Sequence, residues 1–447
     1  MSAPPAGPPA PAHVPPNKTP DVHDAYAVLQ NRDFLLYLIG RFIGSFGQQM
    51  LSVAVGWEIF ERTNSYFALG MVGLVQMLPM VLCTFPAGHV ADNFNRKRIM
   101  LWTQGGLAVA CAGLAVSSAL RADVRWTYAG LLAIGVARTF TWPASAAFLP
   151  SLVPRAQFPR AVTWNSGCFQ IAAVTGPALG GLVIALARSP AWAKWLAAHV
   201  SPAWQTAATQ GAAWVYAGNA LAALTCLALI SQVRAHHKVA VREPMSVATV
   251  VAGLKFVYRT KIILGTITLD LFAVIFGGAT AMLPVYAKEI LKVGPDGLGW
   301  LQAALPLGSF LMSVILLHRP PMQRAGHNLL WSVGLFGLAT AGFGLSRSFW
   351  PAFAMLFICG MSDYVSVMVR HTLVQVLTPD AMRGRVSAIN SLFIGTSNQM
   401  GEFESGFVAS FAGPVFAVVS GGVGTILVVL AVAAKWPEIR KYGRLDS

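Results

Sequence analysis

The stretches Leu329–Leu345 and Val415–Ala434 run without a single charged residue. A helix rises about 1.5 Å per residue, so a run near 20 residues crosses the roughly 30 Å of hydrocarbon in a bilayer. Lipid offers no partner to backbone polar groups, so each such run is expected to close its own hydrogen bonds as a helix. The chain is 55% hydrophobic and 11% charged, against about 25% charged in a soluble domain. These features predict an all-α membrane protein with twelve transmembrane helices in two six-helix bundles. The expected spans are 34–61, 66–91, 98–120, 126–150, 161–187 and 211–231 in the first bundle. Those of the second are 262–289, 297–318, 327–346, 350–377, 385–411 and 413–434.

An even number of spans puts both termini on one side. On that side lie the cluster Arg96-Lys97-Arg98, the basic stretch 232–261 and most of the 32 Lys and Arg residues. The opposite side holds few, among them Arg62, Arg121, Arg188 and Lys288. The positive-inside rule therefore predicts cytoplasmic termini in a bacterial inner membrane. The net charge of +15 is scattered through short loops rather than gathered into a stripe, which excludes nucleic acid as partner. The five cysteines fall in apolar segments without metal-like spacing and read as small buried hydrophobes.

The expected organisation is a Pro/Ala-rich cytoplasmic tail at 1–33, a first bundle at 34–231 and a linker with an interfacial helix at 232–261. A second bundle at 262–434 and a tail at 435–447 follow. The tail at 1–33 lacks the charged-then-apolar order of a signal peptide. The Trp-bearing stretch 188–210 suits a short helix in the opposite interface.

A shift of 225 residues superposes part of the first bundle on the second. Pro154 falls on Pro379, Arg160 on Arg385, Asn165-Ser166 on Asn390-Ser391, Gly176 on Gly401 and Gly181 on Gly406. The same shift lays Arg138 on Asp363. Parallel duplication of this kind predicts a site between the halves near the membrane midplane. A charge in hydrocarbon costs about 2.5–3.5 kcal/mol on the insertion scale, so ionisable residues within spans need partners or water. Arg41, Arg138, Asp270, Asp363, Arg370, Glu402 and Glu404 are of this kind. No nucleophile–base pair, metal-ligand spacing or phosphate-cradling Gly-x-x-x-x-Gly-Lys loop is present, so neither an enzyme, a cofactor nor a metal is expected.

The loop Gly88-His-Val-Ala-Asp92-Asn-Phe-Asn95-Arg96-Lys97-Arg98 resembles the signature loop of the major facilitator superfamily. Asn95 stands where that loop has its second glycine, and Asn tolerates a left-handed turn. Gly176-Pro177-Ala-Leu-Gly180-Gly181 resembles the Gly-Pro-x-x-Gly-Gly element of the superfamily's antiporters, with Ala172 at an expected glycine. Leu269 to Val285, Arg370 to Pro379, Arg383-Gly-Arg385 through Asn390, and Gly401-Glu402-Phe-Glu404-Ser-Gly406 resemble the transmembrane secretion effector group, which includes enterobactin exporters and macrolide efflux proteins.

The resemblance implies a monomeric efflux transporter for small amphiphilic molecules, driven by proton antiport through alternating access. An importer or lysolipid transporter of the same fold is the alternative, and a non-transporting membrane sensor a further one. Spans one, four, seven and ten would line the cavity, placing Arg41, Arg138, Asp270 and Asp363 on it. Asp270 and Asp363 would then be the protonatable sites, Arg138 and Arg41 their charge partners, and Glu402 a possible relay. Gly88, Asp92, Arg96, Lys97, Arg98, Arg370, Arg383 and Arg385 would form the inner gate, with His371 beside them. Gly176, Pro177, Gly180 and Gly181 would serve helix packing.

Overall fold

The computed structural model describes residues 26–199, 209–234, 247–320, 322–379 and 382–443, and its regular structure there is all helical. The first long helices are α1 (Arg32–Thr63), α2 (Tyr66–Asn93), α3 (Arg96–Ala119), α4 (Val124–Phe148) and α5 (Phe158–Ala187). A short α6 (Pro190–His199) precedes α7 (Gly211–Ser231), and α8 (Val247–Arg259) precedes α9 (Lys261–Phe276). Then come α10 (Gly294–Leu317), α11 (Ala325–Leu345), α12 (Phe349–Leu377), α13 (Arg383–Ala412), α14 (Pro414–Lys435) and the short α15 (Pro437–Lys441). Nine of the described helices are long and apolar enough to cross a membrane. The long helices outside that set are α1, α4 and α13. They carry Arg41 and Glu58, Arg138, and Glu402 with Glu404 respectively, whereas Asp270 and the pair Asp363 and Arg370 lie on α9 and α12, within the apolar set.

Local sequence sets the turns. Asn31, Ser65, Asn95 and Asp123 each accept backbone N–H groups at the start of a helix, satisfying donors that the first turn leaves orphaned. Asn64 ends α1 at φ 45°, so two residues suffice to reverse the chain into α2. Asn95 departs from expectation: its φ is −64° and its side chain accepts from the Arg98 N–H. It works as a cap and not as a left-handed turn.

The expected continuous span at 262–289 is also interrupted. Regular α-helix stops at Phe276, a 3-10 turn covers Ala279–Met282, and Tyr286–Ile290 winds as a π-helix. Pro284 lacks an N–H to continue the ladder. Gly278 lies so close to the Gly401 carbonyl that a Cβ there would strike it. Hydropathy cannot register either effect.

Packing divides the long helices into two sets with the same internal pairings. In the first, α1 packs on α5 and α7, α3 on α4 and α7, and α2 on α4. In the second, α9 packs on α13 and α14, α11 on α12 and α14, and α10 on α12. The sets meet along two seams, α2 with α13 and α5 with α10. The start of α1 and the end of α7 share one end of the molecule, where the Arg234 N–H donates to the Asp33 carboxylate. The start of α11 joins the C-terminal segment, with the Ala325 N–H donating to the Gly443 carbonyl at 2.9 Å. This is the terminal end; the α1–α2 turn marks the far end.

Candidate functional site

At the far end, both seams are closed by glycines. A Cβ on Gly70 of α2 would lie 3.0 Å from the Cα of Gly406 on α13. On the other seam, a Cβ on Gly181 of α5 would lie 3.0 Å from the Cα of Gly299 on α10. Backbones this close admit no side chain, which is how small residues join helices in lipid. Gly176 and Gly180 face α1 instead, against Gln49 and Met50.

A polar clasp reinforces the closure. Lys288 Nζ donates to the Asn64 side-chain oxygen at 2.8 Å and lies 5.0 Å from the centre of the Phe60 ring. The Tyr66 hydroxyl donates to Glu289 Oε2 at 3.1 Å. Lys288 and Glu289 both belong to the π-helical turn, a feature frequent at functional sites. Nearer the middle, Ser52 Oγ donates to Gln302 Oε1 at 3.2 Å and Gln170 Nε2 to the Pro306 carbonyl at 2.7 Å.

Beyond Gln170 the α5–α10 seam parts. Thr163, Ser166 and Gly167 continue the face of α5 that carries Gln170 and Gly181, since spacings of three, four and seven share a face. All three are exposed, and a side chain at Gly167 would meet nothing within 4 Å. The α5–α10 seam is thus closed at the far end and parts toward the terminal end.

Charge gathers between those limits. Arg138, midway along α4, is exposed and its Nη1 donates to Gln76 Oε1 of α2 at 3.4 Å. Its electrostatic neighbour is Glu402 of α13, in the other set. Glu404 turns to another face of α13, where Ser405 Oγ donates to it at 3.4 Å.

Asp270 meets neither Arg41 nor Arg138. Its partner is Arg370 of α12, which is buried and forms an ion pair with the Asp270 carboxylate. Arg370, expected beside the gate loop, therefore holds α9 to α12 inside the second set. Asp363 lies seven residues before Arg370 on the same face of α12 and, among the described residues, has no hydrogen-bond or ion-pair partner. It does not meet Arg138. Arg41 stays in the first set beside the Tyr37 hydroxyl and the Cys226 thiol, and its Nε is buried without a hydrogen bond.

In the gate loop, the buried Arg96 donates from Nη1 to the Ala147 carbonyl at 2.9 Å. Lys97 Nζ donates to the carbonyls of Ser231 and Val233 at 2.7 and 2.6 Å. Arg98 is exposed, as is His371. Asp92 is half-buried with no described partner. The side chains of Arg383 and Arg385 lie outside those described.

A two-set helical membrane protein with paired seams, a sealed far end and charges between the sets has the geometry of a carrier. A family model for the Major Facilitator Superfamily matches residues 37–401. The chain belongs to that superfamily. It is a multi-pass membrane transporter and not an enzyme. It is 24% identical over 426 residues to Enterobactin exporter EntS of Escherichia coli O1:K1 / APEC, covering 92% of this chain and 93% of that protein. The same identity and coverage relate it to Enterobactin exporter EntS of Shigella boydii serotype 18.

Solved structures agree on the fold. A bacterial homologue of the human lysosomal transporter Spinster, inward-facing and occupied, superposes with a TM-score of 0.70 at 15% identity, over 92% of this chain and 97% of that one. A POT family transporter with a bound thioalcohol-conjugated peptide gives 0.69 at 12% identity, over 92% and 97%. Nucleoside transporter NupG gives 0.67 at 13%, over 90% and 99%.

Sequence reasoning missed several residues at the far end of this superfamily member. Tyr66, Lys288 and Glu289 sit at predicted span ends, where charge is expected and draws no attention. Glu58 is buried in α1, accepting from the Tyr216 hydroxyl at 2.7 Å and from Arg62 Nη1 at 3.1 Å. The signal for Glu58 was present as a Glu four residues before an Arg on one helix, the spacing of a facing pair.

Proposed function

We propose that this transporter exports small amphiphilic molecules, drug- or siderophore-like, across the inner membrane by alternating access, in exchange for protons. The carrying observation is the asymmetry of the α5–α10 seam, closed at Gly181–Gly299 and open past Gln170, with Arg138, Gln76 and Glu402 between the sets. Relatives named as enterobactin exporters support the direction of transport. In this reading twelve spans form two repeated bundles, 34–231 and 262–434. The identical helix pairings of the two sets support the repeat. The termini and the linker 232–261 are cytoplasmic, so the state described opens inward.

The chemistry follows from where charge sits. Substrate enters from the terminal end and is held between the sets near Arg138 and Glu402. The clasp at Lys288 and Glu289 then releases and the far end opens. Glu402 and Asp363, with Asp270 beside its arginine, are the carboxylates that take protons from outside. Their neutralisation favours the return to the inward-open state, where the proton leaves. Asp92, without a partner among the described residues, engages the start of α13 when the terminal end closes, since a carboxylate is favoured at a helix N-terminus. Gly88 and the basic residues Arg96 to Arg98 shape that gate.

Everted vesicles energised by a proton gradient test the coupling. Asp363→Asn, Glu402→Gln and Asp270→Asn should each reduce gradient-driven substrate movement, the first two without loss of fold. If all three moved substrate at the wild-type rate, the proton-coupling assignment would be lost.

A further inference from the structure

The first set contains a polar cavity of its own, away from the space between the sets. It has a volume of about 510 Å³ and opens at the far end among α1, α3, α5 and α7, with Arg62, Arg121, Arg188, Glu58 and Glu61 in its wall. Two of the guanidiniums are matched by carboxylates. Arg62 pairs with Glu58 at 3.1 Å and reaches the Ala122 carbonyl, and Arg188 pairs with Glu61 while covering the Trp57 ring. Among the described residues Arg121 has no carboxylate partner. It donates from Nη2 at 3.0 Å and Nε at 3.2 Å to the Gln210 amide oxygen, in the orientation of that amide that satisfies both groups. The φ of 50° at Arg121 sets it just past the end of α3, over the cavity.

The wall therefore carries one cationic group in excess, presented by the side chain best suited to bidentate oxyanion recognition. The cavity lies at the ends of the spans, where headgroups sit. Beside it, Trp192 stacks on Trp195 and packs edge-on to Trp214, the residue type that marks membrane interfaces. The size is within the range of small-ligand sites.

We infer that this cavity binds a phosphodiester, the headgroup of a phospholipid from the adjoining leaflet, with Arg121 as the principal contact. The site is separate from the transport path, so its failure would leave the transport reading standing.

The test uses the full chain in detergent micelles, read by native mass spectrometry and thermal unfolding. Phosphatidylethanolamine or phosphatidylglycerol should remain bound and raise the unfolding temperature. Arg121→Gln should lower lipid retention at least about 10-fold, the loss of one charge-assisted contact. Arg319→Gln, an exposed change at the terminal end, should not. Arg121→Lys, which keeps the charge, should retain part of the binding and reports on folding. An equal thermal shift from inorganic phosphate alone would overturn the lipid assignment. Unchanged lipid retention in Arg121→Gln would overturn the site.

Discussion

One face of α5 behaves in two ways along its length. At the far end it presents Gly181, pressed against Gly299 of α10, and toward the terminal end it presents Thr163, Ser166 and Gly167 to open space. The far end is held by contacts that tolerate no added atom, with a clasp of polar groups above them. The terminal end has small polar side chains that can face water now and another helix later. A seam that is tight at one end and wettable at the other can rock without exposing apolar surface, and that is what a carrier requires.

The largest effect should come from the buried pair in the open half. Arg370→Ala leaves the Asp270 carboxylate buried without its partner, which costs about 3–5 kcal/mol, measurable by thermal unfolding. Replacing both partners with apolar residues of similar size should recover most of that loss. If the double variant then transports normally, the pair holds structure; if it is stable and inactive, the pair works in transport.

Gly406→Leu comes next, because it strikes at the tight end. A side chain wedged against Gly70 should disfavour closure by about 1–3 kcal/mol, roughly 5- to 150-fold in the equilibrium. Transport should fall accordingly, and a cysteine placed at Ser52 should become reactive toward thiol reagents from the far side. Removing the clasp with Lys288→Ala and Tyr66→Phe should act in the same direction but by about 1 kcal/mol per hydrogen bond. Smallest of all, Asp92→Asn should change the stability of the present state by less than about 0.5 kcal/mol. It breaks no contact here, yet transport should slow because the opposite state loses its latch.

Much of this was legible in the sequence, for reasons that differ by feature. Nine of the described helices, long and apolar enough to cross a membrane, were legible from apolar run length, and 211–231 coincides with α7. Gly176, Gly180 and Gly181 were recognisable as packing positions. Their partners were not, because Gly181 and Gly406 reach across to the other set while Gly176 and Gly180 face α1. Charge pairing was the least readable. Asp270 and Arg370 sit on helices far apart in sequence, and which face each helix turns inward depends on rotations that hydropathy does not encode. The break in the helix after Phe276 lies where Gly278 meets the Gly401 backbone, a contact with no counterpart in local pattern.

The central claim is that the two ends of the α5–α10 seam move in opposition. Spin labels at Val162 with Leu317 probe the terminal end, and labels at Leu186 with Trp300 the far end; all four positions are exposed. Pulsed electron–electron distance measurements on both pairs, with and without substrate and across a range of pH, should show one distance shortening as the other lengthens. Two distances that stay fixed, or that rise and fall together, would contradict the account.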